Sequence, residues 1–77
     1  MAVIVYSTET CPWCTRAKDF LVEHKVNFKE KDVSKDYNAA KEMVRKSGQK
    51  GVPVFDINGK IFAGYDEEKL KELLGLK

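Results

Sequence analysis

Residues 2–14 read AVIVYSTETCPWC, and this stretch decides the fold: an apolar strand, a short polar loop and the start of a helix. Ala2–Tyr6 is apolar at consecutive positions and rich in β-branched residues, which predicts a central strand buried on both faces. Thr10 or Cys11 is predicted to cap the following helix, with Pro12 inside its first turn.

The next two elements are a helix and a strand. The helix is predicted to end near Lys25, because residues recur at steps of three and four along one inward face: Cys14, Ala17, Leu21 and His24. Val26–Val33 is predicted to be the second strand. The lysines at positions 29 and 31 indicate an edge position, since charged edges discourage unwanted pairing.

A second helix and a hairpin follow. Asp36 is predicted to cap the helix, whose inward face carries Ala40, Met43, Val44 and Ser47. Asn58-Gly59 predicts a two-residue turn between strands Pro53–Ile57 and Lys60–Ala63, because both turn positions need positive φ.

The last helix is predicted to start at Tyr65-Asp66-Glu67-Glu68 and to bury Leu70, Leu73 and Leu74. The order is therefore β-α-β-α-β-β-α. The first two strands should be parallel, joined by a right-handed crossover. This order predicts an α/β fold with a four-stranded mixed sheet flanked by three helices, in a single domain over residues 1–77.

Composition and charge exclude several classes of protein. Hydrophobic residues are 43% and charged residues 34% of the 77, as in a folded globular chain. A net charge of +2 does not favour nucleic acid or an anionic membrane as partner. The apolar run near the start is shorter than a signal sequence, and no stretch is long enough to span a bilayer. We therefore expect a cytoplasmic monomer.

Both cysteines of the chain, Cys11 and Cys14, lie three residues apart where a strand gives way to a helix. Side chains at i and i+3 share a helix face, with Cβ atoms about 5–6 Å apart, so a disulfide can form between them. Unsatisfied N–H groups and the helix dipole stabilise a thiolate at Cys11. We therefore expect Cys11 to attack a substrate disulfide and Cys14, one turn deeper, to resolve the mixed disulfide.

Other uses of two cysteines are weaker. A purely stabilising disulfide would close a single helical turn, where the entropic gain is least. A mononuclear zinc site needs four ligands, and His24 lies about 15 Å along the same helix from Cys14. Inert buried cysteines and a metal or iron–sulfur cluster shared across a dimer stay open as alternatives.

Three landmarks at matching spacing resemble the glutaredoxin family, which has the thioredoxin fold. They are the Cys11-Pro12-Trp13-Cys14 motif, Val52-Pro53 before the hairpin, and Ala63-Gly64-Tyr65-Asp66 at the last helix. The usual glutaredoxin motif has Tyr in place of Trp13, and Trp beside the cysteines also resembles thioredoxins and NrdH-type redoxins. The likeness thus indicates a small bacterial glutaredoxin-like branch.

The resemblance implies a substrate groove around the cysteine pair. It places a cis peptide bond before Pro53, with Val52 turned towards a bound cysteinyl peptide. It also places Gly64 close to the ligand and Asp66 at the γ-glutamyl end of glutathione. Trp13 is expected to be exposed and to form part of the partner-docking surface. The remaining residues expected at the groove are Thr8, Pro12, Lys50 and Tyr65.

Several positions depart from the family's glutathione site. Thr8 stands where many glutaredoxins carry a lysine, and Glu9 adds a negative charge beside it. Lys50 is the candidate substitute cation. We therefore expect a thiol–disulfide oxidoreductase without bound cofactor or metal. Its electron donor is either glutathione, used as a co-substrate, or a thioredoxin reductase.

Overall fold

The computed structural model describes residues 2–76 and contains a four-stranded mixed sheet with three helices. The elements in chain order are β1 (Val3–Ser7), α1 (Pro12–Glu23), β2 (Lys29–Asp32), α2 (Tyr37–Ser47), β3 (Val54–Ile57), β4 (Lys60–Ala63) and α3 (Glu67–Leu74). The strand order is β2-β1-β3-β4. β1 pairs with β2 in parallel and with β3 antiparallel, and β3 pairs antiparallel with β4. The predicted fold class and the edge position of β2 are confirmed.

The sheet has two faces, each with its own apolar cluster. On the first face, α1 and α3 cover the larger cluster: Val3, Val5, Ala17, Phe20, Leu21, Phe55, Ile57, Leu70 and Leu74. On the second face, α2 covers the smaller one: Tyr6, Met43 and Val54. Successive strand residues point to opposite faces, so neighbours in β1 contribute to different clusters.

Local signals at the helix ends and at the hairpin act as predicted. Asp36 caps α2, where its carboxylate accepts from the Ala39 N–H at 3.1 Å. At the hairpin turn, Asn58 and Gly59 have φ values of 55° and 90°. The turn therefore adopts the left-handed conformations that this residue pair tolerates.

Two predicted elements end differently. α1 ends at Glu23 with His24 as its cap, because Lys25 takes a φ of 58° and reverses the chain. The Val26 N–H then bonds the Leu21 carbonyl at 2.9 Å. Residues 26–28 therefore lie outside β2, and the prediction of a strand over Val26–Val33 was too long.

The predicted inward faces of α2 and α3 need correction. The buried residues of α2 are Ala39 and Met43, whereas Val44 is 36% exposed. Leu73 of α3 is only partly buried against the larger cluster. Periodicity identifies the apolar face of a helix, but packing against the sheet decides which positions on that face are fully buried. Within residues 2–76, no helix combines the length and apolarity needed to cross a membrane.

Candidate active site

The cysteine pair lies where β1 ends and α1 begins. Cys11 is the N-cap of α1, with extended backbone at φ −97° and ψ 109°, and Pro12 is the first helical residue. The Cys11 sulfur accepts a hydrogen bond from the Cys14 N–H at 3.2 Å. One of the unpaired N–H groups at the start of the helix thus points at the sulfur that is predicted to be the nucleophile.

The two thiols have different environments. Cys11 is half-buried, whereas Cys14 has no exposed surface. Burial, reinforced by the hydrogen bond with Cys11, raises the pKa of the Cys14 thiol to about 12. The Thr8 N–H and the positive charge of Lys18 act in the opposite direction on that pKa. Cys14 is therefore a protonated thiol at neutral pH, held next to the more accessible sulfur.

The loop between α2 and β3 (residues 48–53), here called the second loop, lies next to Cys11. The Cys11 thiol lies 3.9 Å from the Val52 carbonyl oxygen, in range for a weak S–H donor. The Val52-Pro53 peptide bond is cis, as the resemblance implied, and Pro53 is buried. The Pro53 carbonyl accepts from the Gly64 N–H at 2.8 Å, and Gly64 has a φ of 96°. The structure thus brings Val52, Pro53 and Gly64 to the same side of the molecule as Cys11.

An aromatic surface borders the cysteines. Trp13 is 54% exposed, and its ring centroid lies 6.0 Å from that of Tyr65. The Arg16 guanidinium lies 5.3 Å from the Trp13 ring centroid, within cation–π range. The Tyr65 hydroxyl donates to a Glu67 carboxylate oxygen at 2.8 Å. Burial, and to a lesser extent this hydrogen bond, raise the pKa of Tyr65 to about 12.

Asp66 and Lys50 are two further residues that were expected at the site. The Asp66 carboxylate caps α3, where it accepts from the N–H groups of Glu68 and Lys69 at 3.1 and 3.2 Å. Lys50 is exposed and lines a groove of about 490 Å³ beside α2, together with Tyr37 and Lys41. Asp66 thus caps α3, and its predicted contact with glutathione stays a prediction, as does the role of Lys50.

A charged pair that includes Lys18, one helical turn after Cys14, was missed from the sequence. The Lys18 ammonium lies 2.6 Å from a Glu30 carboxylate oxygen, and the buried Ser7 hydroxyl donates to the same carboxylate at 2.7 Å. A signal for this pair was present, because Lys18 follows Cys14 by four residues and shares its helix face. The partner of Lys18 depends on strand register, which short lysine-rich strands specify poorly.

No cluster of three metal-ligating side chains occurs within residues 2–76. The His24 Nδ1 atom is 2.9 Å from the Phe20 carbonyl oxygen of its own helix. That ring therefore closes the end of α1, which is a sufficient structural reason for a histidine at this position.

The glutaredoxin family model matches residues 3–62. The chain belongs to the glutaredoxin family. Glutaredoxin 3 of Escherichia coli K12 is 42% identical over 67 residues, which span 84% of this chain and 78% of that protein. A glutaredoxin-like 8.6 kDa protein in a rubredoxin operon of Clostridium pasteurianum is 37% identical over 70 residues, or 91% of this chain and 93% of that protein.

A solved structure is similar over nearly the whole chain. The crystal structure of a glutaredoxin from Archaeoglobus fulgidus superposes with a TM-score of 0.87 at 35% identity, covering 94% of this chain and 84% of that one. Family and geometry agree with the prediction from the Cys11–Cys14 spacing. This glutaredoxin has the thioredoxin-like fold and is a thiol–disulfide oxidoreductase that uses a Cys11/Cys14 dithiol.

Proposed function

We propose that Cys11 is the nucleophile and Cys14 the resolving thiol in the reduction of protein disulfides and glutathione-mixed disulfides. The difference in burial between the two sulfurs carries this assignment. Cys11 is accessible at a helix N-terminus, whereas Cys14 has no exposed surface and a raised pKa. An incoming disulfide can therefore reach only Cys11.

The reaction takes two exchanges. The Cys11 thiolate attacks one sulfur of a substrate disulfide R–S–S–R′, forms Cys11–S–S–R and releases R′S⁻, which takes up a proton. The Cys14 thiol then loses its proton to water and attacks the Cys11 sulfur. This step forms the Cys11–Cys14 disulfide and releases RS⁻, which is protonated in turn. The dithiol loses two electrons, and the substrate disulfide gains them.

The bound segment of the substrate would lie between the second loop and the aromatic surface. The Val52 main chain next to Cys11 offers strand-like pairing to a cysteinyl peptide. Trp13 and Tyr65 provide exposed apolar area beside it. We expect Trp13→Ala to raise KM for a protein disulfide several-fold with little effect on kcat for a small disulfide.

We propose glutathione as the co-substrate that re-reduces the Cys11–Cys14 disulfide. The negative charge of Glu9, which would oppose an anionic tripeptide, is offset by an ion pair with Lys35. The Gly64 backbone is held towards the second loop by its bond to Pro53. Re-reduction by a thioredoxin reductase is the second candidate, because Thr8 leaves the usual cationic position of the glutathione site without a charge.

The test is NADPH oxidation with a small disulfide substrate in two coupled assays. One assay contains glutathione and glutathione reductase, and the other contains thioredoxin reductase. Turnover with glutathione alone supports the proposal. Turnover with thioredoxin reductase alone would refute the glutathione assignment and leave the dithiol chemistry intact. Cys11→Ser, which removes the nucleophile, is the matched negative control in both assays.

We further propose that the protein acts in the cytoplasm as a monomeric single domain. The apolar clusters on both sheet faces are covered by the chain's own helices. A reducing compartment keeps the dithiol supplied with electrons. Sedimentation of the reduced protein at micromolar concentration tests the monomer, and a dimer carrying metal would contradict it.

A further inference from the structure

The ion pair between Lys18 and Glu30 links α1 to β2, and the charge of Lys18 acts on the buried Cys14 sulfur. Lys18 is one helical turn after Cys14 on the same face of α1. Its ammonium lies 2.6 Å from Glu30, and the two side chains are 30% and 40% exposed. This pair is partly shielded from water and adjoins a reacting sulfur.

The position of Glu30 is set by the sheet. In the parallel pairing of β1 and β2, Glu30 lies opposite Val5, so its side chain points to the α1 face. Ser7, which is 1% exposed, donates its hydroxyl to the same carboxylate at 2.7 Å. Two neighbours in different elements thus hold the carboxylate, and the carboxylate holds the lysine.

We propose that Lys18, oriented by Glu30 and Ser7, provides the positive charge that assists Cys14 in resolving the mixed disulfide. This inference rests on the proposed roles of the two cysteines. In that step the Cys14 S–H bond breaks, its proton passes to water, and a Cys14–Cys11 bond forms as the substrate thiolate leaves. Negative charge develops at a fully buried atom, where a nearby cation is worth more than in water.

The charges around Cys14 support this direction. Cys14 faces Cys11, the Thr8 N–H and Lys18. Lys18 in turn faces Glu30 and Asp19, and Glu30 faces Asp32. The hydrogen bond with Glu30 raises the pKa of Lys18 and lowers that of Glu30, so both are charged at neutral pH. Lys18 is the cation of this set whose charge acts on the buried sulfur. Its charge acts on the Cys14 sulfur without touching the substrate.

The experiment is a single-turnover reaction with a symmetric aromatic disulfide whose thiolate is coloured. The first equivalent of colour reports attack by Cys11, and the second reports resolution by Cys14, in the same trace. In Lys18→Gln we expect the second phase to slow about tenfold at neutral pH, and its pH profile to move up by about one unit. The first phase should stay unchanged.

Three variants separate the field of Lys18 from a merely structural ion pair. Lys18→Arg keeps the charge and should restore the second phase. Glu30→Gln keeps an oxygen acceptor and leaves Lys18 charged but less firmly oriented, so it should slow that phase less than Lys18→Gln does. Lys25→Gln removes one exposed charge beyond the end of α1 and should have no effect. Equal slowing in Lys18→Gln and Glu30→Gln would overturn the inference, and so would an unchanged second phase in Lys18→Gln.

The two phases also distinguish this inference from the proposed function. If Cys14→Ser still gave a second phase, or Cys11→Ser a first phase, the assigned roles of the cysteines would be wrong. If both cysteine variants behave as assigned and Lys18→Gln matches the wild type, only the role of Lys18 fails.

Discussion

The two faces of the sheet each carry a network of lysine and acidic side chains. Only one of the two networks includes a lysine whose charge acts on a cysteine. On the α1 face, Ser7, Glu30 and Lys18 end beside the reacting sulfur of Cys14. On the α2 face, the network comprises Lys31, Glu42, Lys46, Asp56 and the Tyr6 hydroxyl. Lys46 contacts Asp56 at 2.6 Å and Tyr6 at 3.1 Å.

The difference shows how strand alternation separates a stabilising network from a functional one. Glu30 and Lys31 are neighbours in β2, yet they point to opposite faces and join different networks. The α2-face network is more buried, with Asp56 12% and Lys46 24% exposed. Its hydrogen bonds and ion pairs link α2 to the sheet and involve neither Cys11 nor Cys14. The α1-face pair is more exposed and contributes less to stability, but it borders the chemistry.

The largest expected effect comes from the sulfur itself. Cys14→Ser should lower the reduction of a protein disulfide by about 100-fold or more, because the intramolecular attack that releases the substrate is lost. Removal of glutathione from a mixed disulfide, which needs only Cys11, should persist. Insulin reduction and deglutathionylation assays measure the two activities. Retained insulin reduction in Cys14→Ser would contradict the role of Cys14 as the resolving thiol.

The next effect is on stability and belongs to the α2 face. Lys46→Met leaves the Asp56 carboxylate without its cation, although the Gly59 N–H still donates to it at 2.9 Å. We expect the free energy of unfolding to fall by about 2 kcal/mol, and Tm to fall by about 8–16 °C. The rate of resolution at 25 °C should be unchanged. A slower second phase would mean that the two networks are coupled through β1.

Acid should remove more stability from the α2 face than from the α1 face. Hydrogen bonds from Lys31, then Lys46, lower the pKa of Glu42 from 4.5 to about 2. A depressed folded-state pKa gives stability that is complete above about pH 4.5 and is lost as the pH falls towards about 2. Urea unfolding across this range should show the loss, and Glu42→Gln should flatten it. Glu72→Gln, at an exposed position of α3, is the control and should keep the wild-type slope.

The smallest expected effect is on stability at the α1 face. Lys18→Gln should change the free energy of unfolding by about 0.5 kcal/mol or less, because its ion pair is 30% and 40% exposed. Lys18→Gln is thus expected to slow resolution with little loss of stability. Lys46→Met is expected to lose stability with no change in the rate of resolution. Denaturant midpoints of the two variants in one buffer test it. If Lys18→Gln lowered the free energy of unfolding as much as Lys46→Met does, the two networks would contribute equally to stability.

Most of the fold was predictable because its signals are local. The apolar run of β1, the Asp36 cap and the Asn58-Gly59 turn each depend on residues close in sequence, and all three were confirmed. Thr10 or Cys11 was predicted to cap α1, and the structure has Cys11 there, one turn before the second thiol. The second strand was predicted too long because Lys25 ends the turn in a left-handed conformation with no glycine to signal it.

The sequence by itself determined the element order, the dithiol and its position at a helix start, since each needs only neighbours along the chain. Tertiary structure alone decided what surrounds the sulfurs. It set Val52 against Cys11 across 41 positions and paired Lys18 with Glu30 on an adjoining strand. The reason is physical: strand register and helix docking choose which charged side chains share a face. A shift of one residue in β2 would exchange Glu30 for Lys31 on the α1 face.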